Sequence, residues 1–218
     1  MPTIKTRIMK KIMFNDRFGL TQAVLEGRKT QTRRIMKGKP LFPTDEIEST
    51  GILGDEVQII ANGGESLITM KLPFRVCEVV AVAQSYRDCG GINEEGVPMW
   101  EIISQKVGST NAGWNNKRFV VSSLMPRQIR ITDVRVERLQ DISDEDCIKE
   151  GVELNTRQYE YDGTRYYCVR GLGYWRGFGC TNFHTPREAF AALIDKVSGK
   201  GTWERNPYVF VYDFELVK

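Results

Sequence analysis

The sequence predicts an α+β fold in which a small mixed or antiparallel β-barrel carries flanking helices. Short segments with strand patterning outnumber helical ones along the 218 residues. The helical segments are isolated and do not alternate regularly with strands, which argues against a parallel doubly wound sheet. A hydrophobic content of 41% and a charged content of 27% are ordinary for a soluble globular protein with a real core.

The first elements are a weak strand and a short helix. Residues 7–14 have weak strand character, and Asn15 and Asp16 can cap a helix over residues 17–26. Gly27 should end this helix, because glycine enters the left-handed conformation at little steric cost. The basic segment that begins at Gly27, GRKTQTRR, therefore emerges from a helix end into a loop or a strand.

The middle of the chain is rich in strand patterns. Residues 38–56 hold prolines and glycines and are expected to form a surface connection. The pair Asn62-Gly63, between VQII and LITMKL, predicts a hairpin. Further strands are predicted over residues 76–82, 129–139 and 207–217. In the second of these, the apolar residues change parity near Thr132-Asp133, which predicts a β-bulge.

Two further helices carry capping signals at their start. The signals are Ser143 with Asp146, and Thr185 with Pro186 and Glu188. The first of these helices should end at Gly151 and the second near Val197. Residues 87–118, with a short helix near residues 99–106, and residues 155–182 are predicted to be excursions from the core.

Charge and cysteine usage limit the function classes. A formal net charge of +3 allows nucleic acid as a partner without arguing for it. No stretch approaches the roughly 18 consecutive apolar residues of a membrane span, and the N-terminus lacks an apolar run of signal-peptide length. Five scattered cysteines without a CxxC pair are typical of reduced thiols in a cytoplasm. We therefore expect a cytoplasmic protein without a membrane partner.

A metal site is not expected. Cys168, Cys180 and His184 are the residues that would suit zinc, but a structural zinc site normally has four ligands in two close pairs. Only Cys180 and His184 are close in sequence, and a fourth ligand is missing. The sequence therefore predicts neither a metal nor a cofactor.

Several segments of the chain resemble the ASCH domain family in the versions carried by bacteriophages and prophages. They are MFNDRFGLTQAVLEGRKTQTRR, VCEVVAVAQSY, MPR, ITDVRVERLQDISDEDCIKEG and FAALIDKVSGKGTWERNPYVFVYDFELV. The family is PUA-like: a small β-barrel with helices around a cleft, associated with RNA or modified-nucleoside binding. The resemblance implies a single domain over residues 1–218 with insertions at about 87–118 and 155–182. The second segment departs from the family pattern at Cys77-Glu78 and over residues 81–85.

An enzyme subgroup of this family, of which an N(4)-acetylcytidine amidohydrolase is a member, implies roles for particular residues. The subgroup carries a Gly-x-Lys-x-x-Thr-x-Arg pattern and a glutamate from a later helix. Here the pattern falls on Gly27, Lys29, Thr32 and Arg34, and the later helix ends at Glu150. By resemblance, Lys29 would activate Thr32 as the nucleophile and Glu150 would act as acid and base. Arg34 would help to shape the pocket.

The residue types allow this chemistry under one condition. Threonine is a poor nucleophile unless a base takes its proton. Lys29 can take that proton from Thr32 only when it is neutral, so its pKa must fall well below the ordinary value of about 10.4. Burial would lower the pKa of Lys29, and so would the like charges of Arg28, Arg33 and Arg34.

Three functions remain open at this point. The leading hypothesis is a module that binds RNA or a modified nucleoside, with ligand contacts from Gly27, Arg28, Lys29, Arg33 and Arg34. The second is an amidohydrolase that deacylates N(4)-acylcytidine-type nucleosides. The third is a phage accessory protein with a vestigial pocket, in which GRKTQTRR is a solvated basic edge.

The second insertion offers candidates for base stacking. Tyr166, Tyr167 and Trp175 are interleaved with arginines, and aromatic rings and arginines can stack on unpaired bases. The alternative is an insertion that packs these rings against its own barrel, since aromatic side chains mostly bury area.

Overall fold

A computed structural model describes residues 9–36, 47–61, 66–173 and 181–217. The strands in these ranges are β1 (Lys11–Ile12), β2 (Gln31–Ile35), β3 (Ile47–Leu53), β4 (Glu56–Ala61), β5 (Ser66–Lys71), β6 (Val79–Val82), β7 (Gln128–Arg138), β8 (Glu153–Leu154), β9 (Tyr167–Cys168) and β10 (Tyr208–Leu216). The helices are α1 (Leu20–Leu25), α2 (Met99–Val107), α3 (Asp144–Lys149), α4 (Thr156–Asp162), α5 (Pro186–Ser198) and α6 (Thr202–Arg205).

The predicted α+β class is confirmed, with sheets that are mostly antiparallel. The strand pairings of the described ranges do not include a closed barrel, so the barrel stays a prediction. Of the helices in these ranges, none is both long enough and apolar enough to cross a membrane.

The chain divides into two compact units. The first unit comprises the described parts of Met1–Phe14, Val79–Arg130 and Glu215–Lys218, and the second comprises those of Asn15–Glu78 and Ile131–Phe214. Two long strands, β7 and β10, contribute residues to both units. The interpretation of residues 1–218 as a single domain stays a prediction.

The first unit contains the strand order β1-β6-β7. β1 runs parallel to β6, with Ile12 opposite Val82, and β6 is antiparallel to the start of β7. Its core combines this sheet with the first predicted insertion, residues 87–118. The buried core residues are Ala81, Ala83, Tyr86, Cys89, Ile103, Val120 and Met125. The short helix predicted near residues 99–106 is confirmed as α2.

The second unit contains the strand order β7-β10-β2, a three-stranded antiparallel sheet β3-β4-β5 and the short pair β8-β9. β10 and β2 are antiparallel, with Tyr212 opposite Thr32 and Val211 opposite Arg33. The strands VQII and LITMKL pair as β4 and β5, as predicted from the turn signal between them. The turn residues themselves, Asn62-Gly63, lie outside the described residues.

The predicted caps position the helices of the second unit. Ser143 Oγ accepts a hydrogen bond from Asp146 N at 3.1 Å, and Thr185 Oγ1 accepts one from Glu188 N at 3.1 Å. Gly27 adopts the left-handed conformation with φ of 72°, as expected of a residue that follows a helix end. The helix predicted over residues 17–26 is interrupted, because Gly19 is also left-handed and separates a 3-10 turn from α1.

Two predicted boundaries differ from the structure. The strand predicted over residues 76–82 begins only at Val79, because Cys77 has a positive φ of 63° and therefore forms a turn. The surface connection predicted over residues 38–56 contains β3, which forms by pairing with β4 although nearly all of its residues are exposed. In the strand that was predicted from Ile129, Ile131 and Val134 are both buried although one position is odd and the other even, which is the predicted change of parity. The bulge itself stays a prediction.

Gly151 places the end of α3 beside Lys29, and we expect Gly151→Ala to destabilise the protein. Gly151 has a φ of 105°, and an added Cβ would lie 3.0 Å from Leu20 Cδ2 and 3.7 Å from Lys29 Cδ. A left-handed alanine costs roughly 1–2 kcal/mol, and displacing Leu20 adds to that cost. The matched control is Gly163→Ala, with φ of 73° and nothing within 4 Å of the added Cβ. Urea unfolding that gives equal losses for both variants would contradict this account.

Candidate functional site

Lys29 lies where α1 has ended and β2 is about to begin. Arg28 N and Lys29 N both donate to Ala23 O, so the chain leaves the helix in a tight turn. Thr30 N then donates to Lys149 O at 3.0 Å. The end of α3 therefore lies against the outer edge of β2, while β10 pairs with the inner edge. This arrangement brings Lys29 and Glu150 together, although 121 positions separate them in sequence.

The Lys29 ammonium group is held by three acceptors. Lys29 Nζ donates to Glu150 Oε2 at 2.5 Å, to Glu150 O at 2.7 Å and to Gln31 O at 2.7 Å. An ammonium group has three protons to donate, so this set matches the charged form. The side chains of Lys29 and Glu150 are only 1% and 6% exposed, which makes them a buried ion pair.

Arg33 joins this pair from β2. Its guanidinium lies 3.4 Å from Glu150 Oε1, 3.1 Å from Glu137 Oε2 and 3.2 Å from Asp146 Oδ2. It also donates to Gln31 Oε1, which has the same parity on the strand. Arg33 is therefore a buried cation that contacts three carboxylates: Glu137 of β7, Asp146 of α3 and Glu150, which follows α3.

The carboxylates that hold Arg33 are shared with Arg135 on β7. Arg135 Nε donates to Glu137 Oε1 at 2.5 Å, and Arg135 Nη2 lies 3.2 Å from Asp146 Oδ2. Arg135 also pairs with Asp213 on β10, which accepts from Gln31 Nε2 at 2.7 Å. These contacts form a closed network that we call the charge cluster. Its members are Lys29, Gln31, Arg33, Arg135, Glu137, Asp146, Glu150 and Asp213.

Thr32 and Arg34 occupy the other face of β2. Successive side chains of a strand point to opposite faces, so Thr32 points away from the face that carries Gln31 and Arg33. The cross-strand neighbour of Thr32 is Tyr212, a fully buried ring that packs edge-on against Phe74 at a centroid distance of 5.5 Å. Thr32 is itself buried. The structure thus unites Lys29 with Glu150 and Arg33 on one face and places Thr32 on the other.

Arg34 is half-buried and stays within electrostatic range of Glu150. Burial lowers the pKa of Arg34, while Glu150 and Tyr212 act to raise it. Because Glu150 sits at the edge of β2, its negative charge acts to raise the pKa of cations on both faces of the strand.

Burial is the largest influence on the pKa of Lys29. Burial lowers the pKa of Lys29 from its ordinary value, and the positive charges of Arg34 and Arg33 lower it further. The charge and the hydrogen bond of Glu150 act in the opposite direction and raise it. The hydrogen bonds favour the ammonium form and burial favours the amine. Burial alone would raise the pKa of Asp146, but hydrogen bonds from Lys149 and Arg33 hold it below its usual value.

The remaining predicted site residues are not members of the charge cluster. Gly27 supplies the turn before Lys29, and Arg28 pairs with Glu26 and Glu153. Tyr166 packs against His184 with ring centroids 5.2 Å apart, and Tyr167 lies in β9. Trp175 lies outside the described residues, and so does Cys180, one of the three residues that were considered as zinc ligands.

Sequence reasoning missed five members of the charge cluster: Gln31, Arg135, Glu137, Asp146 and Asp213. One signal for Gln31 was present, because Lys29, Gln31 and Arg33 share a parity once β2 is recognised as a strand. Asp146 was interpreted only as a capping-box acid, although its side chain faces Arg33 and Arg135. The other three come from distant strands, and only the register of β7 and β10 brings them near.

The charge cluster combines buried donors and acceptors with nearly balanced charge. Such a site can bind polar groups that both donate and accept hydrogen bonds, and its lysine can exchange a proton. In the described part of the chain, no group of three or more His, Cys, Asp or Glu residues is arranged to hold a metal ion. Comparisons with protein-family models, with curated proteins and with solved structures find no match to this chain.

Lys29→Met alone should destabilise the protein by about 3–5 kcal/mol, because it leaves Glu150 as a buried carboxylate without its principal cation. The double variant Lys29→Met with Glu150→Gln removes both charges and should recover part of that loss, since Arg33 keeps Glu137 and Asp146 while the carbonyls of Gln31 and Glu150 still lack the lysine donor. Urea unfolding of the two variants measures the coupling. A double variant no more stable than Lys29→Met would show that the pair is not coupled.

Proposed function

We propose that this chain binds RNA or a modified nucleoside at the edge of β2 beside Glu150, with Lys29 and Arg33 of the charge cluster on one face and Arg34 on the other. The observation that carries the proposal is the buried pair of Lys29 and Glu150, 2.5 Å apart and almost closed to solvent. Taking two charges out of water costs several kcal/mol per ion. Buried groups with perturbed protonation concentrate at functional sites, and the pKa of the buried Lys29 is lowered, which supports assigning a function to Lys29.

The charge balance of the site favours a nucleobase over a phosphate as the group it recognises. Arg28 and Arg33 are already paired with carboxylates, so little positive charge remains for a phosphate oxygen. A base edge offers both amino donors and ring acceptors. Carboxylates accept from the cytosine amino group and arginines donate to base oxygens and nitrogens, as Glu150 and Arg34 would.

The resemblance to the ASCH domain family supports the same ligand class. With it we propose the PUA-like form of the fold and a cytoplasmic location. The mixed α+β architecture agrees with that fold class. The cysteines of the described ranges, Cys77, Cys89, Cys147 and Cys168, are free thiols, as expected in a reducing compartment.

Binding can be tested with cytidine and N(4)-acetylcytidine by isothermal titration calorimetry. Lys29→Met with Glu150→Gln and, separately, Arg34→Gln should each weaken binding about tenfold or more, because each removes a charge-assisted hydrogen bond. The matched control Lys196→Gln removes one exposed positive charge in α5 and should leave the affinity unchanged. Because these nucleosides are neutral, the affinity should change little with salt.

Equal affinities for the wild type and both site variants would contradict the assignment of this site. A wild type that binds neither nucleoside and deacylates neither would leave the accessory-protein hypothesis, with a vestigial pocket, as the better one.

Amidohydrolase activity is the second candidate, and the contact of Lys29 Nζ with the Glu150 carboxylate supplies its acid–base pair. The mechanism further requires a neutral Lys29 that reaches Thr32 on the other face of β2. In that reaction Thr32 Oγ1 would attack the acyl carbon while Lys29 accepts its proton. The proton would pass from Lys29 to Glu150 and from Glu150 to the departing amine, and water would then hydrolyse the acyl-threonine ester. The lowered pKa of Lys29 assists the first step.

Deacylation of N(4)-acetylcytidine by the full chain would identify the enzyme. Thr32→Val keeps a β-branched side chain in β2 and removes only the hydroxyl, so turnover should fall at least about 10²-fold if Thr32 is the nucleophile. Product formation followed by chromatography gives the rate. Turnover that survives in Thr32→Val would exclude the threonine mechanism, and binding without any turnover would leave the binding module.

A further inference from the structure

A groove in the first unit has the size of a ligand site. Its volume is about 610 Å³, within the range of roughly 300–1,000 Å³ that small-molecule sites occupy. Three stretches of chain line it: the loop 90–95, one side of α2 and the segment 123–128. All of these residues belong to one unit and lie within the described ranges. The groove is separate in sequence from every member of the charge cluster.

Two cations of the groove have no carboxylate partner among the described residues. Lys106 at the end of α2 and Arg127 before β7 are both exposed and take part in no ion pair there. Arg33 differs, because it lies against three carboxylates. Positive charge that is not already neutralised is what a phosphate group binds, and Arg127 can engage it with two donors.

The groove also has an apolar wall. Met99 and Ile102 from α2 line it together with Leu124, as do the buried residues Ile103 and Met125. This wall can take one face of a flat ring, which cations alone would not select.

The loop 90–95 is held in place by hydrogen bonds to the Asn93 side chain. Asn93 Oδ1 accepts from Glu95 N at 3.0 Å and from Val97 N at 2.8 Å. This loop brings Glu94 and Glu95 to the groove lining. Carboxylates there repel a bare polyanion but can accept hydrogen bonds from sugar hydroxyls or base amino groups.

We propose that this groove binds a nucleoside phosphate, with the base against Met99 and Ile102 and the phosphate at Lys106 and Arg127. The ligand is either a free nucleotide or a nucleotide within an RNA strand, since both present the same chemistry. This second site goes beyond the proposed nucleoside site at the charge cluster and does not depend on it.

Titration of the full chain with CMP, cytidine and inorganic phosphate tests the groove. CMP should bind more tightly than cytidine or phosphate alone, and its affinity should fall as salt rises. Lys106→Ala with Arg127→Ala should weaken CMP binding by about tenfold or more. The matched control is Arg87→Ala, an exposed arginine of the same unit that does not line the groove and should have no effect.

The comparison with the charge cluster separates the two proposals. Lys29→Met with Glu150→Gln should leave the CMP affinity of the groove within about twofold, whatever it does to cytidine binding. An RNA octanucleotide that displaces CMP would identify an RNA strand as the source of the phosphate, and one that does not would identify a free nucleotide. CMP affinity that is unchanged in the double groove variant, or equally weakened by Arg87→Ala, would overturn the proposal.

Discussion

The second unit depends on one buried interaction, the contact of the Lys29 ammonium with Glu150. The ammonium binds the carboxylate and also the carbonyl oxygens of Glu150 and Gln31. Those carbonyls belong to the end of α3 and the start of β2, where backbone acceptors would otherwise be buried without a donor. A cation at a helix C-terminus also interacts favourably with the helix dipole. One side chain therefore joins a helix end to a strand edge and balances the charge of the carboxylate.

The other members of the charge cluster follow from this first pair. Once Lys29 fixes the end of α3 beside β2, Asp146 one turn earlier reaches Arg33. Arg33 and Glu137 then share a contact across β2 and β7, and Asp146 is within reach of Arg135 as well. Each cation has a carboxylate on a different element. Buried charges tolerate this environment only when they are paired, so the alignment of these elements is coupled to the pairing.

Sequence patterns located the local features and failed where contacts are long-range. Caps such as Ser143 are determined by neighbouring residues, so α3 could be predicted with its start. The charge cluster could not, because Asp213 and Gln31 meet only through strand register. β3 was missed for the same reason, since its hydrogen bonds to β4 form it and its exposed residues carry no alternation. The left-handed turn at Cys77 left no signal, because that conformation is rare for residues other than glycine.

The position of the carboxylates decides what a basic segment can bind. GRKTQTRR has four cations in eight residues and has the composition of a phosphate-binding segment. In the fold, Glu26, Glu153 and Glu150 neutralise Arg28 and Lys29, so the segment has lost most of the field that attracts a polyanion. Lone cations such as that of Arg127 attract phosphate more effectively than a dense run whose charges are paired. The proposed recognition of a base by the charge cluster and of a phosphate by the groove is the division of roles that these electrostatics favour.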